Sequence, residues 1–244
     1  MNTSTDWFTS WFDTDFYHTL YKHRDDKEAQ QFMTKLVTFL ELKKDNKILD
    51  LACGKGRHSV FLNSLGFDVI GADLSQNSID FAKQYENETL KFVQHDMRST
   101  FKTKFDAIFN LFTSFGYFVD DSEDINVLKN IKNGLKDENS FAVIDFINVK
   151  NAIKNLVTKE TINRENIQFN ITRSVENGFI IKNIEVISNN EKYDYFERVK
   201  CLDFSKIKTY LETVDLKLKA VFGDYDLQEF DEENSNRLLL IISK

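Results

Sequence analysis

Short apolar runs alternate with amphipathic helical segments through the first two thirds of the chain, and this rhythm restricts the fold more than any other feature. Five apolar runs predict buried β-strands, at residues 47–52, 67–74, 90–96, 105–112 and 140–147. Helices are predicted by apolar residues at helical spacing, at residues 27–42, 57–65, 75–85 and 122–135. Strands that alternate with helices pair in parallel, so the chain predicts an α/β fold in which a doubly wound sheet has helices on both faces.

The rhythm changes after the fifth strand, where residues 157–200 show the two-residue alternation of antiparallel strands. Asn177-Gly178 is typical of a two-residue hairpin turn, and Asn189-Asn190 indicates a second one. A helix at 203–213 and strands at 216–223 and 237–244 then complete a mostly parallel sheet of seven strands. We predict one domain over 1–244, made of an N-terminal helical lid (1–45), a cofactor-binding core (46–150), an antiparallel β insertion of three or four strands (151–202) and a final helix and strand pair (203–244).

Composition narrows the class of protein. The chain has 32 basic and 39 acidic residues, a net charge of −7, whereas nucleic-acid binding needs concentrated lysine and arginine. Cys53 and Cys201 are too few for a disulfide framework or a zinc site, and no metal is expected. No apolar stretch reaches the roughly 18 residues of a membrane span, and the N-terminus lacks the basic segment of a signal peptide. We expect a reduced, cytoplasmic monomer or homodimer without nucleic-acid or membrane partners.

The turn after the first strand is the strongest indication of a ligand. In "LDLACGKGRHS" (49–59), Asp50 ends the strand and Gly54 and Gly56 form the turn, in a chain with only 8 glycines. Glycines at such a turn let a ligand approach the backbone, and the N–H groups of the next helix face it. The dinucleotide fingerprint G-x-G-x-x-G has a third glycine, which is missing here. The carboxylate of Asp50 favours a ligand with an ammonium group, and a nicotinamide cofactor is the weaker alternative.

Acidic residues also follow the second and third strands. Asp73 ends the second strand 19 residues after Gly54, which is the reach expected for an acid that holds ribose hydroxyls. Asp96-Met97 follows the third strand, where an acid and an apolar side chain suit the edge and the face of an adenine. The three positions together predict a nucleoside-containing ligand at the carboxyl edge of the sheet.

The turn, together with "GADLS" and "HDMR", resembles the motifs of the class I S-adenosylmethionine-dependent methyltransferases, over about residues 45–147. The resemblance implies S-adenosylmethionine as cofactor and in-line methyl transfer to a small-molecule acceptor. It also implies roles for particular residues: Asp50, Gly54 and Gly56 at the methionine end, Asp73 on the ribose, Leu74, Asp96 and Met97 around the adenine, and Asn110 and Leu111 near the sulfonium.

The N-terminal stretch "FYHTLYKHR" (16–24) is similar to the lid of some small-molecule methyltransferases. That similarity implies cofactor contacts from Tyr17, Tyr21 and Arg24. The segment after the fourth strand and the β insertion offer residues for an acceptor pocket: Phe112, Thr113, Phe115, Tyr195 and Arg198. An oxygen acceptor needs a general base, and the candidates are His18, His23 and Tyr117.

Several alternatives stay open at the level of sequence. One is a protein that binds the cofactor without catalysis, or that methylates a protein partner through the β insertion. Another is a nicotinamide-dependent oxidoreductase. The β insertion is as consistent with a dimer surface as with a cap over the acceptor, and the sequence does not identify the acceptor atom.

Overall fold

A seven-stranded sheet forms the centre of the fold, in a computed structural model that describes residues 7–22 and 26–244. Its strands are β1 (Lys47–Leu51), β2 (Asp68–Asp73), β3 (Leu90–Gln94), β4 (Ala107–Asn110), β5 (Phe141–Ile147), β10 (Lys217–Phe222) and β11 (Arg237–Ser243). Their order is β10-β11-β5-β4-β1-β2-β3. The strands β1 to β5 pair in parallel, and β11 runs antiparallel to β5 and to β10. The predicted seven-stranded, mostly parallel sheet is confirmed.

Helices cover both faces of this sheet, as predicted. The eight α-helices are α1 (Trp7–Trp11), α2 (Asp15–Tyr21), α3 (Asp26–Phe39), α4 (Arg57–Ser64), α5 (Gln76–Ala82), α6 (Asp121–Gly134), α7 (Val149–Lys154) and α8 (Phe204–Thr213) within the described ranges. Ile48 of β1 packs in the apolar cluster that holds α3, α4 and α5. Its neighbour Leu49 packs in the cluster that holds α6 and α8. Successive side chains of a strand point to opposite faces, so a strand buried on both sides needs a continuous apolar run.

A second sheet, β6–β9, lies between α7 and α8 in the chain. Its strands β6 (Lys159–Arg164), β7 (Ile167–Glu176), β8 (Phe179–Ser188) and β9 (Glu191–Lys200) pair antiparallel in chain order. Asn177 and Gly178 both have positive φ angles, 50° and 79°, as do Asn189 and Asn190, 53° and 65°. Both predicted hairpins are therefore present, because asparagine and glycine accept the left-handed backbone that these turns require. The antiparallel insertion has four strands.

The N-terminal helices α1 and α2 pack against the second sheet. Trp7 and Trp11 are both buried. The ring centroid of Trp7 lies 5.7 Å from that of Phe196, and the ring centroid of Trp11 lies 4.7 Å from that of Tyr195. Thr14 begins α2 by accepting a hydrogen bond from the backbone N–H of Tyr17 at 3.1 Å. The division of the chain into lid, core and insertion stays a prediction. In the described ranges, no helix combines the length and the apolar character needed to cross a membrane.

Candidate active site

A cavity of about 880 Å³ lies at the carboxyl edge of β1–β4, between that edge, the N-terminal helices and β9. This volume falls at the upper end of the roughly 300–1,000 Å³ typical of small-molecule sites, which leaves room for two small ligands. The wall includes thirteen of the residues predicted from the sequence: Tyr17, His18, Tyr21, Asp50, Gly54, Asp73, Leu74, Asp96, Met97, Leu111, Phe112, Thr113 and Tyr117.

Three residues predicted to contact the acceptor lie away from this wall. Phe115 is fully buried in the core. The ring of Tyr195 packs on Trp11 and Phe16 rather than on the cavity. Arg198 sits over the ring of Phe179, 5.2 Å from its centroid. Arg198 lies on the opposite face of β9 from its neighbours Glu197 and Val199, which line the wall.

Two predicted cofactor residues also lie behind the wall, and two predictions fall outside the described residues. Gly56 is the N-cap of α4, with φ 81°, and packs against Phe92. Asn110 is buried and donates to the backbone oxygen of Leu51 at 3.0 Å. His23 and Arg24 belong to the segment 23–25, which lies outside the described residues.

The glycine turn is held against β2. The backbone N–H groups of Ala52 and Cys53 both donate to the oxygen of Ala72, at 2.7 and 3.0 Å. The N–H of Gly54 donates to a carboxylate oxygen of Asp73 at 2.7 Å. Gly54 has φ 55°, and a Cβ built there would meet no atom within 4 Å. The turn therefore presents bare backbone to the cavity at Gly54.

Asp50 is a buried carboxylate on the cavity wall. Its Oδ2 accepts a hydrogen bond from the hydroxyl of Ser59 at 2.6 Å. Burial raises the pKa of Asp50 to about 6, and the nearby charge of Asp73 adds to the rise. Asp50 has no cationic partner among the described residues. An ionised carboxylate in such a place is stabilised by a positive group that enters the cavity.

Replacing Asp50 by asparagine is expected to raise the stability of the ligand-free protein at pH 7 but not at pH 4. The pKa of Asp50 rises from 3.8 to about 6 on folding, so between these values the native state binds more protons than the unfolded state. The contribution of Asp50 to the free energy of unfolding therefore falls as pH rises through this range. Two pKa units correspond to about 3 kcal/mol, a cost that the neutral amide avoids.

Thermal unfolding of both proteins between pH 4 and pH 7 checks this expectation. The Tm of the Asp50→Asn variant relative to the natural protein should increase by several degrees as pH rises, at roughly 2–4 °C per kcal/mol for a chain of this size. A difference in Tm that stays constant over the range would show that Asp50 keeps an ordinary pKa in the fold.

Asp73 is the last residue of β2 and connects the glycine turn to the start of α5. Besides Gly54, the N–H of Ser75 donates to its carboxylate, at 2.9 Å. Burial raises the pKa of Asp73, while these two backbone hydrogen bonds act in the opposite direction. A carboxylate offers about four acceptor positions, so Asp73 keeps acceptor capacity for a ligand.

Asp96 faces the same cavity from the loop after β3. Its two oxygens accept from the Nε of Arg98, both at 3.0 Å, and Oδ2 accepts from Nη2 at 2.6 Å. Arg98 in turn donates to Glu123 at the start of α6 at 2.8 Å. The ion pair fixes the orientation of Asp96, and neighbouring Met97 contributes an apolar surface to the wall.

The N-terminal helices are fastened over the cavity by Glu197 of β9. Its Oε1 accepts from the indole N–H of Trp11 at 2.8 Å and from the hydroxyl of Tyr21 at 2.6 Å. Lys182 of β8 donates to the Tyr21 hydroxyl and lies 3.5 Å from Glu197. Side chains of α1, α2, β8 and β9 thus share one largely buried polar cluster at the rim of the cavity.

The loop after β4 carries backbone strain. Phe112 and Thr113 are both in the left-handed region, with φ 59° and 63°, which costs roughly 1–3 kcal/mol for each such residue. Asp145 of β5 offsets this cost through two hydrogen bonds. Its Oδ2 accepts from the backbone N–H of Phe112 at 2.7 Å, and its backbone oxygen accepts from the backbone N–H of Thr113 at 3.0 Å. The strain positions the Phe112 ring on the wall, where it stacks on His58 at 4.5 Å.

Comparison with known proteins gives the family. Residues 48–138 match the sequence profile of the family described as "Methyltransferase domain". YqeM of Bacillus subtilis (strain 168), which bears a methyltransferase name, is 37% identical over 101 residues, covering 40% of this chain and 41% of that protein. The chain therefore spans about two fifths of the length of this relative.

Solved structures match over nearly the whole chain. An S-adenosylmethionine-dependent methyltransferase from Clostridium acetobutylicum ATCC 824 has a TM-score of 0.80 at 19% identity, over 93% of this chain and 96% of that one. The sugar N-methyltransferase KedS8 from Streptoalloteichus sp ATCC 53650 has a TM-score of 0.73 at 16% identity, over 93% and 92%. Residues 48–138 therefore match a methyltransferase domain, and the chain as a whole has the fold of the class I S-adenosylmethionine-dependent methyltransferases. The resemblance stated from the three motifs is confirmed, and S-adenosylmethionine is the cofactor of this family.

The fold also brings to the cavity polar residues that were not predicted as site residues: Asp13, Glu28, Arg57, His58, Ser75, His95, Glu197, Tyr225 and Arg237. Some of these follow directly from known motifs, since Ser75 comes two residues after Asp73 and caps α5. Others come from distant parts of the chain. For Arg237 the signal is indirect: its partner Asp145 is a charge inside the apolar run of β5, and a buried charge needs a partner.

Proposed function

We propose that the protein transfers the methyl group of S-adenosylmethionine to a small-molecule acceptor bound between the β4 loop, the N-terminal helices and the second sheet. The observation that carries this proposal is a single cavity, which joins the three acidic strand ends to a largely aromatic region under α1 and α2. KedS8 is named a sugar N-methyltransferase, which is consistent with a small acceptor. A cytoplasmic location stays a prediction of the sequence.

The residues on the first three strand ends fit the cofactor. Asp50 would hold the ammonium group, because it is a buried carboxylate without a cationic partner in the described ranges. Asp73 would hold the ribose hydroxyls, and Leu74, Asp96 and Met97 would surround the adenine. Gly54 would let the backbone come close to the ligand, since no atom lies within 4 Å of its missing Cβ.

The N-terminal helices would close over the methionine end. Tyr17 and Tyr21 line the cavity from α2 with ring centroids 4.9 Å apart. Glu197 holds the hydroxyl of Tyr21. Aromatic faces attract cations, so these rings suit the neighbourhood of a sulfonium.

Methyl transfer depends mainly on the alignment of the acceptor with the methyl group. S-adenosylmethionine supplies a methyl group already activated on a sulfonium. The chain has to orient the acceptor in line with that group and exclude water, and orientation of this kind lowers barriers by several kcal/mol. The wall residues of the acceptor half are mostly aromatic: Trp7, Phe8, Phe12, Tyr117 and Phe118.

His18 is the general base that the geometry favours for an acceptor that must lose a proton. It lies on the cavity wall, and burial, followed by the charge of Lys55, lowers its pKa below the ordinary 6.5. The imidazole is therefore neutral at pH 7 and able to accept a proton. Tyr117, which also lines the cavity, is a second candidate, and His23 stays a sequence prediction.

Calorimetric titration with S-adenosylhomocysteine tests the proposed cofactor, with NADH as control. We expect micromolar binding of S-adenosylhomocysteine and none of NADH, because the turn lacks the third glycine of the dinucleotide fingerprint. Binding of NADH alone would overturn the proposal in favour of an oxidoreductase. Turnover on a protein partner, with none on a panel of small amines, alcohols and thiols, would favour the protein-directed alternative.

A further inference from the structure

One cation on the cavity wall has no role in the cofactor site described above. Arg237 begins β11, and its side chain is 17% exposed. Its Nε donates to Oδ1 of Asp145 at 2.7 Å, and Nη2 donates to the same carboxylate and to the hydroxyl of Thr113 at 2.8 Å. Nη1 donates to no residue in the ranges that the structure describes. Two N–H groups of a fixed guanidinium are thus available to a ligand.

The surroundings hold that guanidinium in one orientation. Asp145 is fully buried and also accepts from the hydroxyl of Tyr225 at 3.1 Å. The Tyr225 ring lies 5.6 Å from the centre of the Arg237 guanidinium. Burial alone would lower the pKa of Arg237, but the carboxylate of Asp145 raises it above the ordinary value. The side chain is therefore charged and rigid, as a specific binding group requires.

Arg237 lies in the acceptor half of the cavity. The acids assigned to the cofactor lie at the carboxyl ends of β1 and β2 and just after β3, whereas β11 is separated from β1 by β4 and β5. Strands in a sheet are spaced by about 4.8 Å, so Arg237 starts roughly 14 Å from β1. Its immediate partner Thr113 belongs to the strained loop after β4, which borders the aromatic region under α1.

We infer that Arg237 selects the methyl acceptor by donating hydrogen bonds from Nη1 to an sp² oxygen, either of a carboxylate or of an amide. The inference rests on the proposed function and adds the chemical class of its substrate. Asp145 and Tyr225 are positioning residues, since they touch Arg237 rather than the ligand oxygen. An apolar body of the acceptor would pack on the aromatic wall, where Trp7 and Tyr117 have ring centroids 5.1 Å apart.

The test uses the full chain saturated with S-adenosylhomocysteine and three aromatic probes: benzoate, benzamide and benzylamine. Calorimetry compares the natural protein with Arg237→Lys, which keeps the ion pair with Asp145 but loses the forked donors. We expect benzoate, benzamide or both to bind about 10-fold or more weakly to the variant, and benzylamine to bind both proteins equally. A preference for benzoate assigns a carboxylate, and a preference for benzamide assigns an amide.

Two further variants serve as controls for the effect of Arg237→Lys. Arg173→Lys alters an arginine that pairs with Glu160 away from the cavity, and it should leave all three affinities unchanged. The double variant Arg237→Gln/Asp145→Asn removes both charges together, so no buried charge is left without a partner. It should also bind benzoate and benzamide more weakly, and it replaces Arg237→Lys in the test if that variant does not fold.

Equal affinity of the oxygen probes for the natural protein and Arg237→Lys, including no binding to either, overturns the inference. A loss of S-adenosylhomocysteine affinity in Arg237→Lys also overturns it, since Arg237 would then hold the carboxylate of the cofactor. Failure of the natural protein to bind S-adenosylhomocysteine counts against the proposed function instead.

Discussion

Replacement of Gly56 by alanine is expected to lower the free energy of unfolding by about 3 kcal/mol, from two separate causes. The residue has φ 81°, and an alanine in the left-handed region costs roughly 1–2 kcal/mol. A Cβ at this position would also lie 2.5 Å from the ring of Phe92 and 3.2 Å from Ala82. Phe92 is buried, so relief requires repacking of the core at roughly 1–3 kcal/mol. Thermal and urea unfolding measure the loss, which corresponds to a Tm lower by roughly 6–12 °C.

Gly54→Ala provides the matched control, because it changes the same turn without the overlap. Gly54 also has a positive φ, 55°, but nothing lies within 4 Å of its missing Cβ. We expect a loss of only about 1 kcal/mol from the backbone, together with weaker binding of S-adenosylhomocysteine because the new methyl group enters the cavity. Equal losses of stability in the two variants would mean that Phe92 moves aside freely and that Gly56 is not a packing residue.

Replacement of Asp73 by alanine is expected to weaken the binding of S-adenosylhomocysteine by about 10- to 100-fold. Charge-assisted hydrogen bonds to the ribose contribute on the order of 1.5–3 kcal/mol, and every 1.4 kcal/mol is tenfold in affinity. The same change removes the acceptor that holds the N–H of Gly54 at 2.7 Å, so the turn also loses part of its shape. Calorimetry on the folded variant measures the effect.

Two further variants of β2 isolate the cause. Asp73→Asn keeps an oxygen for Gly54 but removes the charge, and we expect it to lose most of the affinity that the alanine variant loses. Asp68 lies at the other end of the same strand, where it forms a partly exposed ion pair with Lys47 at 3.2 Å. The Asp68→Ala variant should therefore bind S-adenosylhomocysteine with the affinity of the natural protein. Unchanged affinity in a correctly folded Asp73→Ala protein would remove Asp73 from the cofactor site.

The alternation of strands and helices predicted the central fold because parallel strands are buried on both faces. Continuous apolar runs such as residues 47–52 and 140–147 mark such strands directly, and each observed strand lies within its predicted run. The hairpin at Asn177-Gly178 was predictable for a local reason, since its positive φ angles need those residue types. Helix α7 and the bounds of α1 within the predicted helical lid were not predicted, because five or six residues carry too little periodicity to place a helix.

Cavity residues were predictable where a strand end fixes them and not where two distant segments meet. Asp50 and Asp73 lie at the carboxyl ends of β1 and β2, and Asp96 lies in the loop after β3, so the topology alone brings them to one edge. Arg237 and Glu197 belong to antiparallel strands whose register depends on long-range pairing. The motif also predicted that both glycines of the turn contact the cofactor. In the structure Gly54 lines the cavity, whereas Gly56 packs against Phe92.

The two tryptophans of the chain make intrinsic fluorescence a probe of the N-terminal helix α1. Both indoles, Trp7 and Trp11, belong to the five-residue helix α1. One lines the cavity, and the other donates its N–H to Glu197 at the rim. Tryptophan emission from the whole protein therefore originates beside the cavity. Rapid-mixing fluorescence on the unlabelled natural chain can time the entry of cofactor and of acceptor as separate phases.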